Sequence, residues 1–487
     1  MNLFRRKNLS HIIWMVIPCL FLSGCEGNAS LPWNAPLPGN APFFGKNQEK
    51  EESAFEGETL GLTPDFSYER KAERPNIQVN RQGYLPGSTK IAIFREKELP
   101  ESFQVMKKDS GECVYEGKVS RRESMEDGTL VGYGNFTSLE EEGDYYIRTD
   151  EIGCSYYFAI GKDAYLETAL EYAGIIEEKS PAETVELCET ISYLLTAYEM
   201  YPGLILQIWK SNTAGSEEEG TGGDRFFQML REETDLLLSL QDERTGGIYG
   251  ETSASPGEAQ ETEQKISGEA TAAFAGTMAK YSYLYQQYDW DYANTCLKAA
   301  AKAWRYSDSP QGQPEEKEGA DGKFYAAAEL YRASNEIIYH NYILQNRELL
   351  LNQEEDFYLL MAKITYLSTR RNVDHDLCGE LMEALMREAE QIAEVSKSGI
   401  YLVENEKTDV ILWEMTRIAL ANYAIMNYEY VTVIENHVHY LMGRNEKAEI
   451  LPPNPGSSEA AQMLFLLSVV EEERKIIENS NVDVEEE

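Results

Sequence analysis

From Pro75 to Gly161 the apolar positions come in short runs: IQVN, KIAIF, SFQVMK, ECVYEGKV, GDYYIRT and SYYFAIG. Turns such as LPGS and EEEG separate them. Runs rich in β-branched and aromatic residues at this spacing predict strands, and their number predicts a small β-sandwich. From Ala164 the period changes to that of helices and holds to Glu478, giving about a dozen helices. Two of their connections are long and acidic: SNTAGSEEEGTGGD and the stretch around SPQGQPEEKEGADG. An even series of helices with no strands predicts a bundle or a toroid of helical hairpins. The fold class read from the pattern is therefore multidomain: a small β-sandwich over 75–161, then an all-α domain over 164–478.

One helix has sharp ends in the sequence. In PAETVELCETISYLLTAYEMYPG (181–203), Ser180 is the expected cap, Pro181 the first helical residue and Glu183 the capping-box acid. Leu187, Ile191, Leu194, Leu195 and Tyr198 form one apolar stripe, and Pro202-Gly203 is the expected stop. Glu183, Glu186 and Glu189 then read as a solvated acidic face.

The flanks differ in kind. Arg5, Arg6 and Lys7 precede the apolar run HIIWMVIPCLFL, which is short for a bilayer span, and the run ends in LSGC. This resembles the lipobox of bacterial lipoproteins. The resemblance implies a signal peptide over 1–24, lipid attachment at Cys25, and a protein held at the outer face of the cell membrane; a plain secretory signal is the alternative. Residues 25–74, rich in Pro, Gly, Asn and Glu, read as a flexible tether, and 479–487 as an acidic tail.

The formal net charge is −40. Cleavage after Gly24 would remove three basic residues and no acid, leaving the remainder more acidic still. Such a surface argues against nucleic acid and anionic lipid as partners. The cysteines beyond Cys25 (Cys113, Cys154, Cys188, Cys296 and Cys378) show neither a disulfide framework nor metal-ligand spacing. Cys113 and Cys154 fall in one β segment and are candidates to pair; free buried thiols are the simpler state. Asp374-His375-Asp376 reads as a helix cap, His437 and His439 point apart on any helix, and His340 stands alone. No metal and no cofactor is expected.

The order of pieces carries a resemblance. IQVNRQGYLPGSTKIAIF and GNFTSLEEEGDYYIRTDEIGCSYYFAIG look like the opening and closing of the immunoglobulin-like domain that accompanies glycoside hydrolase family 9, the cellulase family. LLTAYEMYP, LLLSLQDERTGGIYGE, ISGEATAAFAGTMAKYSYLY with DYANTCLKAAAKAW, DGKFYAAAELYRAS and HVHYLMGRNEKAEIL then resemble its helices in the family's order. The resemblance implies an (α/α)6 barrel acting on β-1,4-glucans. It also implies a cleft lined by aromatic side chains near Tyr249, Tyr325 and Trp413, on which sugars stack. Packing between helices is the plainer role for each of these rings.

The chemistry departs from the pattern. The family carries an Asp-Ala-Gly-Asp loop before LLTAYEMYP, whose carboxylates activate the attacking water, and an Asn-Glu pair near the C-terminus, whose Glu is the general acid. Here 164–203 holds no Asp. Glu459 is the one candidate for the acid, and a role at a helix start explains it more simply. The expectation is a lipid-anchored relative that has lost hydrolysis and binds a β-glucan, another polysaccharide or a protein partner. An active hydrolase with displaced carboxylates and a structural lipoprotein are the alternatives.

Overall fold

The computed structural model describes residues 74–125, 128–178, 180–211, 222–252, 265–309, 320–352, 356–396 and 407–485. Cys25, the expected export segment and the expected tether as far as residue 73 lie outside the described residues, as do the central parts of both acidic connections. Among the described residues no helix is long and apolar enough to cross a membrane.

Among the described residues the β part has eight strands: β1 (Ile77–Gln78), β2 (Ile91–Glu96), β3 (Ser102–Lys107), β4 (Cys113–Ser124), β5 (Leu130–Asn135), β6 (Gly143–Thr149), β7 (Gly153–Cys154) and β8 (Phe158–Ile160). They run in the order β1-β2-β5-β4-β3-β6-β7, with β8 also on β6. The long β4 belongs to both layers: Cys113–Lys118 pairs with β3 and Val119–Ser124 with β5, with a register shift between Ser120 and Glu123. One ribbon thus folds over itself around Phe94, Phe103, Val105, Tyr145, Ile147 and Phe158. In β6, Tyr145, Ile147 and Thr149 face inward and alternate with more exposed neighbours, as a half-buried strand requires.

Sequence pattern missed β5, LVGYGN, because its glycines break the alternation. A Cβ on Gly134 would sit 2.5 Å from the Phe103 ring and 2.7 Å from Phe94, so the core aromatics demand the gap. Cys113 and Cys154 are exposed and free, not buried. They stand on β4 and β7 with β3 and β6 between them, at strand spacings of about 4.8 Å each, which rules out a bond without rebuilding the sheet.

Fourteen helices follow among the described residues: α1 (Leu166–Glu178), α2 (Thr184–Met200), α3 (Pro202–Ser211), α4 (Gly222–Ser239), α5 (Gly268–Tyr285), α6 (Trp290–Ser307), α7 (Ala320–Ser334), α8 (Ile337–Gln345), α9 (Arg347–Asn352), α10 (Phe357–Ser368), α11 (His375–Ser396), α12 (Thr408–Ala424), α13 (Tyr428–Leu441) and α14 (Ser457–Glu485). The expected acidic tail is mostly the end of α14. Helices α2, α5, α7, α10, α12 and α14 pack each on the next, and α14 returns to α2, so six inner helices close a ring.

These six run in one direction. Tyr358 Oη, at the start of α10, donates to the Val185 carbonyl at the start of α2 (3.0 Å). Deeper in, Ser192 and Thr277 are 3.0 Å apart, and Tyr325 Oη donates to Ser192 Oγ at 3.1 Å. At the far end Lys280 and Arg332 meet Glu199 and Glu329, and Thr365 donates to Glu329. Burial alone would raise the Glu199 carboxyl, but Arg332 and Lys280 hold it down at about 2.

The helix expected from Pro181 starts three residues later. Residues 181–183 are extended: Thr252 N donates to the Ala182 carbonyl, Thr184 N to the Gly250 carbonyl, and Glu183 bridges Glu251. Tertiary pairing with the stretch before α5 wins over the local capping signal. Pro202 opens α3 instead of merely ending α2.

The two parts are joined by polar groups. Arg81 N donates to the Met442 carbonyl and its guanidinium to the Ala448 carbonyl. Thr89 N donates to Glu435, whose carboxylate also holds Arg474. Tyr84 lies edge-on to His439, 4.9 Å between centroids, and His439 Nε2 is 2.9 Å from Tyr165 Oη. The motifs NRQGYLP and HVHYLMGRN therefore meet each other.

Candidate functional site

The parallel inner ring gives the barrel a mouth at the helix N-termini. Four elements converge on one side of it. The α2 start carries Glu186 and Glu189, three residues apart and so on one face. The α14 start carries Ser458 and Glu459. Asp356 caps α10 by accepting from Leu359 N at 2.7 Å. A hairpin of β9 (Ile248–Tyr249) and β10 (Ile266–Ser267) brings in Tyr249, whose carbonyl accepts from Thr184 Oγ1 at 2.8 Å.

Glu459 lies at the third position of α14, and its Oε2 accepts from Gly456 N at 2.9 Å, the reach-back of a capping box. The same glycine marks where the carboxylates meet. A Cβ there would stand 3.3 Å from Glu186 Oε1 and 3.9 Å from Glu459 Oε2. Glu189 is half-buried, and loss of solvent pushes its carboxyl up to about 7; a Ser458 hydrogen bond opposes this, and the Glu186 and Asp356 charges add to it. Glu186 is also raised, by burial first and then by Glu459 and Glu183. Of the three glutamates read as a solvated face, only Glu183 is exposed. Each charged neighbour acting on Glu186 and Glu189 is another acid. Burial and neighbouring acids thus both favour the protonated forms, in which these carboxyls can donate to a polar ligand.

The three predicted aromatic positions separate. Tyr249 is half-exposed at the mouth. Trp413 is half-exposed on the second turn of α12, one turn nearer the mouth than Thr416, which accepts from Gln462 of α14. Tyr325 is a correction: it is fully buried, its ring pressed on Gly276 and its hydroxyl on Ser192, so no sugar reaches it. The position resembles a cleft residue in sequence, but the absent side chain at Gly276 draws the ring into the wall.

The other candidates resolve as structure. Asp374 caps α11, accepting from Leu377 N at 2.8 Å. His437 Nδ1 bonds the Val433 carbonyl, and burial first of all pushes its imidazole down to about 4. His340 does not stand alone: it stacks between Tyr331 and Tyr366. Among the described residues no three His, Cys, Asp or Glu side chains are grouped to hold a metal ion. Glu186 and Glu189 were missed as a site because their partners come from the far end of the chain. The i,i+3 spacing was the available signal.

Residues 72–154 match the profile of the cellulase N-terminal Ig-like domain, and residues 184–449 that of glycosyl hydrolase family 9. Endoglucanase D of Acetivibrio thermocellus is 21% identical over 471 residues, spanning 79% of this chain and 73% of that protein. A metagenome-derived glycoside hydrolase family 9 endoglucanase has the same fold at a TM-score of 0.68 and 17% identity, covering 81% of this chain and 99% of its own. A Bacteroides ovatus GH9 protein aligns at 0.64 and 16% identity, covering 82% and 99%.

Proposed function

Because this chain belongs to glycosyl hydrolase family 9, the barrel mouth is where a glycan would be met, and we propose that it holds β-1,4-linked glucan there without hydrolysing it, as a lipid-anchored protein on the outer face of a bacterial membrane. The glucan comes from the likeness to endoglucanases. The loss of hydrolysis rests on the mouth carboxylates. An inverting pair needs one ionised base and one protonated acid about 6.5–9.5 Å apart, with a water between them. Such pairs work because their environments push the two pKa values apart. Here Glu186 and Glu189 are both pushed upward, and Glu459 spends an oxygen on its own helix cap. Each positioned acid or base contributes about 10²–10⁴ in rate, so a site lacking both would turn over negligibly.

The test is a reducing-sugar assay on β-1,4-linked glucans beside binding titrations on the same panel. Expected are no release above background, and binding that weakens in Tyr249→Ala and Trp413→Ala. Hydrolysis abolished by Glu459→Gln would overturn the proposal.

That outcome would establish the second reading, a working hydrolase. One observation favours it: Glu189 titrates near neutrality, where a general acid is most useful, close to a second carboxyl on another helix. The anchor is tested separately. Cys25→Ala should free the protein from the membrane fraction or leave an uncleaved precursor; unchanged attachment with normal maturation would remove lipid from the account.

A further inference from the structure

The stretch Gln286-Gln287-Tyr288-Asp289-Trp290-Asp291 joins α5 to α6 at the end of the barrel opposite the mouth. Helix α5 starts at the β9–β10 hairpin beside Thr184 and runs for 18 residues, about 27 Å at 1.5 Å per residue. Trp290 is 66% exposed and Tyr288 36% exposed at the turn that ends it. Trp290 stands largely in water, and Tyr288, though packed on the aromatic cluster beneath it, keeps part of its surface exposed.

Both sit on a rigid support. Tyr288 stacks on Tyr285 at 5.7 Å, leans on Phe227 at 4.8 Å, and its hydroxyl is 2.9 Å from that of Tyr198. A Cβ on Gly223 would lie 2.6 Å from that hydroxyl, so the glycine makes room for it. The backbone at Trp290 is fixed by its neighbours. Asp289 accepts from Tyr292 N at 3.0 Å and pairs with Arg231 at 3.2 Å, and Arg231 lies 4.0 Å over the Tyr292 ring.

The pattern around the rings identifies the ligand chemistry. The aromatic residues alternate with amides and carboxylates; Asp289 is taken up by its cap and Arg231, and Gln286 Nε2 by the Tyr283 carbonyl, which leaves the exposed Gln287 and Asp291 beside the rings. The core of a protein interface is depleted in charge, and a bilayer excludes it. A pyranose needs this mixture, because its C–H face stacks on a ring while its hydroxyls, at the edges, donate to carboxylates and accept from amides. The acid charge of the stretch and of the whole chain disfavours an anionic sugar.

We propose that Tyr288 and Trp290 form a second saccharide-binding platform, for a neutral β-linked hexopyranose chain, at the barrel end opposite the mouth. It does not depend on whether the mouth binds or cleaves. With both ends occupied, the protein would bridge two stretches of polysaccharide.

The test is calorimetric titration of the full chain with a tetramer of β-1,4-linked glucose. Wild type should bind two per chain, Trp290→Ala one, and Trp290→Tyr two; Trp413→Ala should keep the platform site. Trp290 supports no core, so an unchanged melting temperature in Trp290→Ala would tie the loss to the ring. One site in wild type that disappears in Trp290→Ala would uphold the platform and remove the mouth reading. One site that survives Trp290→Ala unchanged would overturn the platform and leave the mouth. No binding by wild type would overturn both.

Discussion

Glu189 lies in surroundings that its place in the sequence does not announce. Its carboxyl is pushed up to about 7 in the folded chain, from an ordinary value near 4.5. A group raised in this way contributes stability that is fully present below about pH 4.5 and lost as the pH rises through 7. Glu189→Gln keeps the shape and removes the charge. It should stabilise the protein by roughly 2–3 kcal/mol at pH 8 and change little at pH 4.5. Urea unfolding at the two pH values checks this; an equal effect at both would mean that the charge is not what the site opposes. At Gly276 the constraint is steric. A Cβ there would lie 2.2 Å from the Tyr325 ring. Gly276→Ala should cost about 1–3 kcal/mol, the range for overpacking a well-filled core, despite the better helix propensity of alanine.

At the scale of elements, the inner ring is held apart from its surroundings by polar devices at both ends. Caps close the mouth end: Ser267 on α5, Asp356 on α10 and the Gly456–Glu459 box on α14. Asp356→Ala should cost about 1 kcal/mol through the lost cap. It also removes one of the charges acting on Glu189, so part of that cost should return at pH 8 and not at pH 4.5. The far end is tied by Glu199, Lys280, Glu329 and Arg332. Glu329→Gln leaves Arg332 and Lys280 buried with a single acid, and breaking a buried set this way should cost about 3–5 kcal/mol. A change under 1 kcal/mol in thermal or denaturant unfolding would show that water replaces the missing partner.

For the molecule as a whole, the polar seam between the β part and the barrel matters most. Glu435, on α13, is fully buried and holds both Thr89 of the β part and Arg474 of α14. Glu435→Gln should therefore lower the unfolding midpoint of both parts together, by about 3 kcal/mol or more, as a single transition. Two separated transitions, with only one of them moved, would mean that the parts fold independently.

Much of this architecture was legible from the chain. Strand-like runs gave way to helical periods at 161–164, and β8 ends at Ile160 while α1 begins at Leu166. That pattern is local, because burial of one face imposes a period of 2 on strands and about 3.6 on helices. The order of the family's motifs, the cap at Asp374 and the cap role of Glu459 are local too. That 164–203 holds no Asp is likewise read from the chain alone. The tertiary structure decided the rest. Residues 181–183 are extended because 250–252 pair with them across some seventy positions. Tyr325 is a wall residue because Gly276 stands opposite. Glu186 and Glu189 meet distant partners because α14 closes the ring against α2 and sets Glu459 and Ser458 beside them. A carboxyl's pKa depends on which charges and how much water surround it in space, and no residue's own neighbours in the chain supply that information.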